Sequence, residues 1–314
     1  MLLLVALRTV LPVFLLIAGG FALNASHQIS DKTVSECNTL SFRLFLPCQI
    51  FKTVFEADLS TGFSFRLAIF AAAGVTVLFL LSLLIGSSGK EMSKCGVLEQ
   101  GIFRANFVLL GIPMLSALYD PSTLGSIPLM IAVIVPLFNV YSVIVLEKNR
   151  AGAGKPSFLR LAVGIAKNPL IIGSLLGLAA KLAGLPLYRS DVLRQVLAYL
   201  AQLATPLTLL VLGASLRPAS IRDNWRQVLI CTLMRLIVAP MLAILIGGAL
   251  GFRGQEIALL LVVFATPTAA NSYTMAVQYD GDSDLAANLV VYTTVLSCIT
   301  LFFWILLLQM IGWL

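Results

Sequence analysis

Apolar segments of about 20 residues follow one another along almost the whole chain, separated by short polar or Gly/Pro-containing breaks. A helix needs about this many apolar residues to cross the hydrocarbon core of a bilayer. Of the 314 residues, 59% are hydrophobic and 11% are charged, whereas about 25% of residues in a soluble domain are charged. The segments therefore predict an all-α membrane protein, leave too few residues for a sizeable soluble domain, and exclude a soluble enzyme.

Ten of these segments are predicted to be transmembrane helices. The second is the least apolar, because it contains Arg43 and Lys52. The first ends in small residues, as a signal peptide does, but no positive charge precedes its apolar run, which favours a true span. The ten predicted spans cover residues 4–23, 39–55, 64–86, 97–118, 125–146, 161–183, 193–215, 227–250, 256–278 and 286–312.

Lys and Arg outside the spans lie mainly in loops that follow odd-numbered spans, ten against two elsewhere. Because cytoplasmic loops carry such an excess, we predict a multi-pass inner-membrane protein with both termini on the outer, periplasmic side. The bilayer is then its surrounding partner, and the net charge of +7 needs no nucleic-acid partner. The ten residues are Lys32, Lys90, Lys94, Lys148, Arg150, Lys155, Arg160, Arg217, Arg222 and Arg226, and the two are Arg189 and Arg253.

The two halves of the chain carry similar residues at a nearly constant spacing of 157 to 160 positions. Three matches in the same order predict a duplication, with one five-helix repeat in residues 1–155 and a second in 156–314. Because five is an odd number, the two copies insert with opposite orientations, and inverted repeats are typical of secondary transporters. The matched pairs are Pro12 with Pro169, Pro47 with Pro206, and Tyr119 with Tyr279.

Spans four and nine are each interrupted near mid-length by Pro and polar residues. Pro breaks a helix, and the freed backbone groups need new partners within a membrane. Two such breaks would cross near the midplane. There the N-termini of the half-helices attract an anion, and unwound carbonyls can hold a cation. The candidate substrate-binding residues at the breaks are Arg104, Asn106, Gly111, Pro113, Pro267, Asn271 and Tyr273.

Each candidate has an alternative structural role. Asn106 and Asn271 offer amide donors and acceptors to a carboxylate, but Asn also bridges packed helices. Arg104 either attracts anions or extends its charge towards the membrane surface. Gln49 and Thr208 lie beside Pro in spans two and seven. They either form a second wall of the site or neighbour kinks that only shape the bundle.

The other charges and the cysteines give no sign of catalysis. With one His and five scattered Cys, we expect neither a metal site nor a cofactor, and no Ser/His, Cys/His or paired-acid arrangement indicates an enzyme. Coupling to H⁺ or Na⁺ stays open. Basic residues near span ends are expected to snorkel and acidic residues at span starts to be interfacial. The basic ones are Arg43, Lys52, Arg66, Lys167 and Arg235, and the acidic ones are Glu99 and Glu256.

Several motifs together resemble the auxin efflux carrier family, which includes plant PIN proteins and bacterial malate or malonate carriers. The resemblance covers essentially the whole chain. The motifs are Asn168-Pro169 in KNPLIIGSLLGL, TPLTLLVLGASLRP (205–218), Asn106 followed by Gly111-Ile112-Pro113, Pro267 with Ala276-Val277-Gln278-Tyr279, and VVYTTVLSCIT (290–300).

The resemblance implies a five-plus-five inverted repeat of ten helices with crossed broken helices four and nine, as in bile-acid symporters and sodium/proton antiporters. It implies a scaffold of spans 1, 2, 6 and 7, which could join two copies as a homodimer. It further implies a mobile transport domain of spans 3–5 and 8–10, with elevator-type movement. The organic-anion site would lie at the crossing and include Asn106. Plant members have a second Pro near the position of Tyr273, so auxin itself is a less fitting substrate.

The leading functional hypothesis is a secondary active transporter that carries small organic anions, such as mono- or dicarboxylates or auxin-like acids, across the inner membrane by elevator-type alternating access. One alternative is a sodium-coupled symporter of bile-acid-like anions, which would need a cation site among polar side chains and unwound carbonyls. A second alternative is a membrane sensor that binds a ligand without translocating it, although sensors usually carry a soluble output domain.

Overall fold

The computed structural model is all-helical, and the residues it describes contain no strand, only one isolated antiparallel bridge. Lys90, Lys155 and Arg189, which contribute to the charge asymmetry, lie outside the described residues. The predicted boundary between residues 155 and 156 lies outside them as well. The structure describes residues 2–57, 64–86, 91–119, 125–150, 158–187 and 190–314.

Fifteen α-helices are found within the described residues. They are α1 (Leu2–Ala25), α2 (Asp31–Leu40), α3 (Leu46–Glu56), α4 (Phe65–Gly86), α5 (Met92–Phe103), α6 (Ile112–Leu118), α7 (Ile127–Lys148), α8 (Phe158–Lys167), α9 (Pro169–Leu182), α10 (Asp191–Ala214), α11 (Ile221–Leu233), α12 (Ala239–Ala249), α13 (Gln255–Ala265), α14 (Asn271–Gln278) and α15 (Ser283–Met310).

Five helices of the described residues are long and apolar enough to cross a membrane, and a sixth is added if α8 and α9 form one bent span. The five are α4, α7, α10, the continuous helix from α11 to α12, and α15. With the bent pair, they coincide with predicted spans three, five, seven, eight, ten and six. In predicted spans four and nine the apolar helices are shorter, so the total of ten spans stays a prediction.

Three helices widen into a π-helical turn just before a Pro. Pro lacks the backbone N–H, and its ring collides with the carbonyl one turn earlier. A π-turn inserts one extra residue into the helix and so moves this carbonyl away. The segments are Ser41–Phe45 before Pro47, Phe107–Gly111 before Pro113, and Met234–Val238 before Pro240.

The bent pair α8 and α9 is divided at Asn168, where the helix axis bends by 60°. The Asn168 side chain caps α9, because its Oδ1 accepts hydrogen bonds from the N–H groups of Leu170 (2.9 Å) and Ile171 (3.1 Å). Pro169 occupies the first position of α9, where a missing N–H costs nothing. The Asn-Pro pair therefore starts a new helix rather than bending a continuous one.

Two helix pairs, α1 with α10 and α3 with α9, are in backbone contact through glycine. Gly20 of α1 lies directly against the carbonyl of Leu210 in α10. In the second pair, a Cβ on Gly177 of α9 would lie 2.7 Å from the carbonyl oxygen of Phe51 in α3. Small residues at these positions let the helices approach closely, which is how helices pack in a membrane.

The two interrupted segments cross each other after α5 and after α13. Both chains are extended there, and Ala105 and Thr268 form the isolated antiparallel bridge. The bridge replaces the helical hydrogen bonds that the breaks remove, as buried backbone groups require. The Asn106 N–H donates to the Pro267 carbonyl (2.8 Å), and the Ala269 N–H donates to the Arg104 carbonyl (3.1 Å).

Arg235, from the π-turn between α11 and α12, holds the ends of both broken helices. The expectation that it snorkels is wrong, since its relative exposure is 0%. Its guanidinium points into the crossing because the last carbonyls of α5 and α13 lack helical partners and carry the negative ends of the helix dipoles. It donates to the carbonyls of Ile102 (3.3 Å), Phe103 (3.2 Å), Val263 (2.5 Å) and Thr266 (2.8 Å).

Replacement of Gly177 by Leu is expected to push α9 away from α3. The added side chain meets backbone atoms, which cannot move aside, so we expect a loss of about 1–3 kcal/mol in stability. Thermal unfolding of the detergent-solubilised protein measures the effect. Ala179→Leu is the matched control, because Ala179 lies on the exposed side of the same helix. Equal melting of the two variants would contradict the close contact.

Replacement of Arg235 by Ala is expected to destabilise the protein by at least about 3 kcal/mol, since several hydrogen bonds from a buried charge are lost together. Thermal unfolding and the yield of folded protein in detergent report this loss. Arg43→Ala serves as the comparison, because Arg43 is exposed. If both variants unfolded at the same temperature, Arg235 would not be needed at the crossing.

Candidate functional site

A cavity of about 280 Å³ lies beside the crossing. Its walls come from α3, the chain from the end of α5 to the start of α6, α7, α10 and the start of α14 with the two residues before it. The structure thus brings together residues from segments far apart in the sequence. Six of the nine predicted site residues line it, namely Gln49, Arg104, Asn106, Pro113, Thr208 and Asn271.

Arg104 contributes the only charged side chain among the described residues that line this cavity. It is 3% exposed, so its charge is removed from bulk water. Its guanidinium donates to neutral groups on α7, the Oγ of Ser142 (2.8 Å) and the Oδ1 of Asn139 (2.9 Å), and contacts the sulfur of Met275 (2.7 Å) on α14. No ion pair between described residues includes Arg104.

Two amide groups at the cavity have buried atoms that find no hydrogen-bond partner among the described residues. They are the Nδ2 of Asn139, a donor, and the Oδ1 of Asn271, an acceptor. A buried polar atom without a partner is costly and uncommon in native proteins. Together with Asn106, these amides surround Arg104 with uncharged groups that can exchange hydrogen bonds with a ligand.

Neutral hydrogen bonds join α10 to α3 and to the π-turn before it, beside the cavity. The Nε2 of Gln49 in α3 donates to the Oγ1 of Thr205 in α10 (2.8 Å). The hydroxyls of Ser41 and Thr208 lie 3.0 Å apart and share a hydrogen bond. Gln49 and Thr208 therefore line the cavity and also join α10 to the helix of α3. A place in the wall of the site and a role in shaping the bundle are thus compatible for these residues.

Three predicted site residues lie outside the cavity lining. Gly111 faces α13, where an added Cβ would lie 2.8 Å from the Cβ of Val262. Pro267 contributes its backbone carbonyl to the bridge. Tyr273 lines a second cavity of about 370 Å³ at the other end of α14, together with Asn38. Gly111 and Pro267 thus shape the crossing, and Tyr273 lies apart from it.

Asn139 and Ser142 of α7 were not predicted as site residues. The sequence did carry a signal, since Asn139 is the only Asn or Gln in an otherwise apolar span and follows Pro136 by three positions. Amide groups within spans usually face the protein interior or a polar cavity, and the same rule should have selected Asn139.

The arrangement suits the binding of a carboxylate. Neither Asp nor Glu occurs among the described residues that line the cavity, so its fixed charge is positive. A guanidinium pairs with a carboxylate through two parallel hydrogen bonds, and the surrounding amides can complete the ligand's hydrogen bonding without adding charge. Within the described part of the chain, no group of three His, Cys, Asp or Glu side chains is placed to hold a metal ion.

Three transporters are similar to the chain over almost its full length. A "Putative malonate transporter" of Rhizobium meliloti is 28% identical and covers 93% of this chain and 92% of its own length. An "Uncharacterized transporter" of Methanothermobacter thermautotrophicus is 25% identical, covering 95% and 96%. Another transporter, of Methanocaldococcus jannaschii, is 24% identical, covering 96% and 98%.

A family model described as "Membrane transport protein" matches residues 5–305. The match spans both broken segments and every helix that contributes to the cavity. Because it covers nearly all of the sequence, the chain belongs to the auxin efflux carrier family of membrane transport proteins.

Proposed function

We propose that this protein is a secondary transporter of small organic anions, which bind in the cavity beside the crossing. The observation that carries the proposal is the buried Arg104 guanidinium, which lines the cavity and pairs with no carboxylate among the described residues. A buried charge is costly without a counter-charge, and a bound carboxylate supplies one. The neutral acceptors Asn139 and Ser142 hold the guanidinium in place without competing as anions.

The size of the cavity favours small substrates. Pockets for drug-sized ligands measure about 300–1,000 Å³, and this one has about 280 Å³. A sterol-sized anion therefore fits poorly, which argues against the bile-acid-like alternative. Since one relative is described as a malonate transporter, short dicarboxylates such as malonate are the first substrates to examine.

The glycine contacts support an inverted repeat as the basis of transport. An offset of 157 residues takes Gly20 to Gly177, and an offset of 159 takes Phe51 to Leu210. The contact of α1 with α10 through Gly20 and Leu210 is therefore equivalent to that of α9 with α3 through Gly177 and Phe51. Two halves related in this way can expose one site alternately to either side of the membrane.

In this proposal α1–α3 and α8–α10 form the scaffold, and α4–α7 with α11–α15 form the transport domain. The transport domain carries the crossing and moves against the scaffold as an elevator. The ten spans cross an inner membrane with both termini outside, as the basic loops predict. A homodimer through scaffold helices is part of the same proposal.

We expect Arg104→Gln to raise the KM for malonate or malate by about tenfold to a hundredfold, because a hydrogen bond to a charged group contributes about 1.5–3 kcal/mol. Uptake of the radiolabelled acids into proteoliposomes measures this change. Arg43→Gln is the matched control, since it removes the same charge from an exposed position. Unaltered uptake by Arg104→Gln would show that the anion binds elsewhere.

Asn106→Ala should raise the KM by a smaller factor, because a neutral hydrogen bond contributes about 1 kcal/mol, or roughly fivefold. The same uptake assay applies, and Ser116→Ala on the exposed side of α6 controls for a general loss of activity. Equal transport by Asn106→Ala and the wild type would remove Asn106 from the site.

Competition experiments distinguish the proposal from the bile-acid-like alternative. Unlabelled malonate should inhibit uptake, whereas a bile acid at the same concentration should not, because the cavity is too small for it. Replacement of sodium by choline should leave uptake unchanged. Inhibition by the bile acid together with loss of uptake in choline would favour the sodium-coupled symporter instead.

A further inference from the structure

Glu99 is a fully buried acid that the proposed anion site does not use. It lies on α5, and its relative exposure is 0%, so its carboxyl group is buried within the protein. An ionised carboxylate at such a position is costly unless charges and hydrogen bonds compensate it. The role of Glu99 therefore depends on which charges and hydrogen bonds compensate its carboxylate.

The compensation of Glu99 comes from the end of α7. The Nζ of Lys148 lies 3.4 Å from its Oε1, and the Nδ2 of Asn149 donates to its Oε2 (2.9 Å). Lys148 is 34% exposed, so this pair is in contact with water through the lysine. One partly exposed lysine and one amide compensate only part of the cost of burying an ionised carboxylate.

The remaining described groups around Glu99 do not compensate its charge further. On α4, Gly86 lies against the carboxyl group and offers no side chain, because a Cβ there would lie 2.5 Å from Oε1. The neighbouring charges are paired among themselves, which leaves Lys148 as the cation facing Glu99 among the described residues. These pairs are Glu147 with Arg150 (3.7 Å), Arg150 with Asp280 (2.9 Å), and Lys94 with Asp282 (3.9 Å) and Glu91 (3.1 Å).

Glu99 and the proposed anion-binding Arg104 are close in sequence at the end of α5, and both contact α7. Glu99 lies on α5 and Arg104 directly follows its last residue, five positions after Glu99, which corresponds to about 7.5 Å along a helix axis. Arg104 contacts α7 at Asn139 and Ser142, and Glu99 contacts its end at Lys148. Both side chains are buried, where charges are weakly screened, so a negative charge on Glu99 opposes the binding of an anion at Arg104.

We infer that Glu99 is a proton-binding site and that this protein carries its organic anion together with a proton. The inference rests on the proposed function. A proton from water binds to a carboxylate oxygen of Glu99, the negative charge is cancelled, and Lys148 keeps its own proton. Removal of that negative charge favours the anion at Arg104, and by reciprocity the bound anion favours the proton on Glu99. The proton and the organic anion therefore bind together and are released together.

Glu99→Gln tests this coupling, because Gln is close in shape to a protonated Glu but binds no proton. In proteoliposomes with an acidic exterior, the wild type should accumulate malonate, up to about tenfold per pH unit for one proton carried with each anion. The variant should equilibrate malonate without accumulating it, and should retain exchange of labelled for unlabelled malonate without a gradient. Glu147→Gln is the control, because it removes a different buried acid, on α7. Proteoliposomes with this variant should accumulate malonate like those with the wild type.

The outcomes separate the inference from the proposed function. Accumulation by Glu99→Gln equal to that of the wild type would overturn the inference, while exchange would still support anion transport. Absence of malonate exchange in the wild type would instead refute the proposed substrate class. If Glu99→Gln does not fold, proton uptake by the wild type in weak buffer near neutral pH decides. Addition of malonate should remove protons from solution with the wild type but not with Arg104→Gln, and equal signals would overturn the inference.

Discussion

The crossing of the two broken segments depends on one buried cation. The last carbonyls of α5 and α13 approach each other, and without a donor they would face each other as unsatisfied, partly negative groups. Arg235 donates to carbonyls of both helices and joins their ends. The side of the crossing where Asn106 and Asn271 lie is thereby left to line the cavity. A stable pair of broken helices and a polar site next to it are two consequences of the same arrangement.

The sequence predicted the breaks well and the orientation of single side chains poorly. Pro and polar residues inside apolar runs identified the interruptions of spans four and nine, and Arg104, Asn106 and Asn271 do line the cavity there. The sequence did not indicate that Arg235 and Glu99 are fully buried within the protein. Position along a span predicts depth in the membrane, but it does not tell whether a side chain faces lipid or a neighbouring helix.

The effect of Pro on a helix also depends on neighbouring helices that the sequence pattern does not show. A Pro in an apolar run indicates a disturbance of the helix, but the form of that disturbance depends on the neighbouring helices. Pro113 and Pro240 follow π-turns within helices that continue, whereas Pro169 begins a new helix after the Asn168 cap. The Asn before Pro169 is a local signal that the sequence offered for this difference, because Asn caps helices and Leu, Ile and Ala do not.

The distribution of charged contacts fits the proposed division of the chain into a scaffold and a transport domain. The ion pairs whose two partners are described each lie within the scaffold or within the transport domain, and none of them joins the two. The contacts of Arg104, Arg235 and Glu99 likewise stay within the transport domain. Neutral hydrogen bonds connect it to the scaffold, from Asn168 to Tyr279 (3.0 Å) and from Gln278 to Thr39 (3.2 Å). The proposed sliding movement would exchange such neutral bonds at little cost. Among the described residues it would not separate a buried charge from its partners, which is the costly step in a membrane.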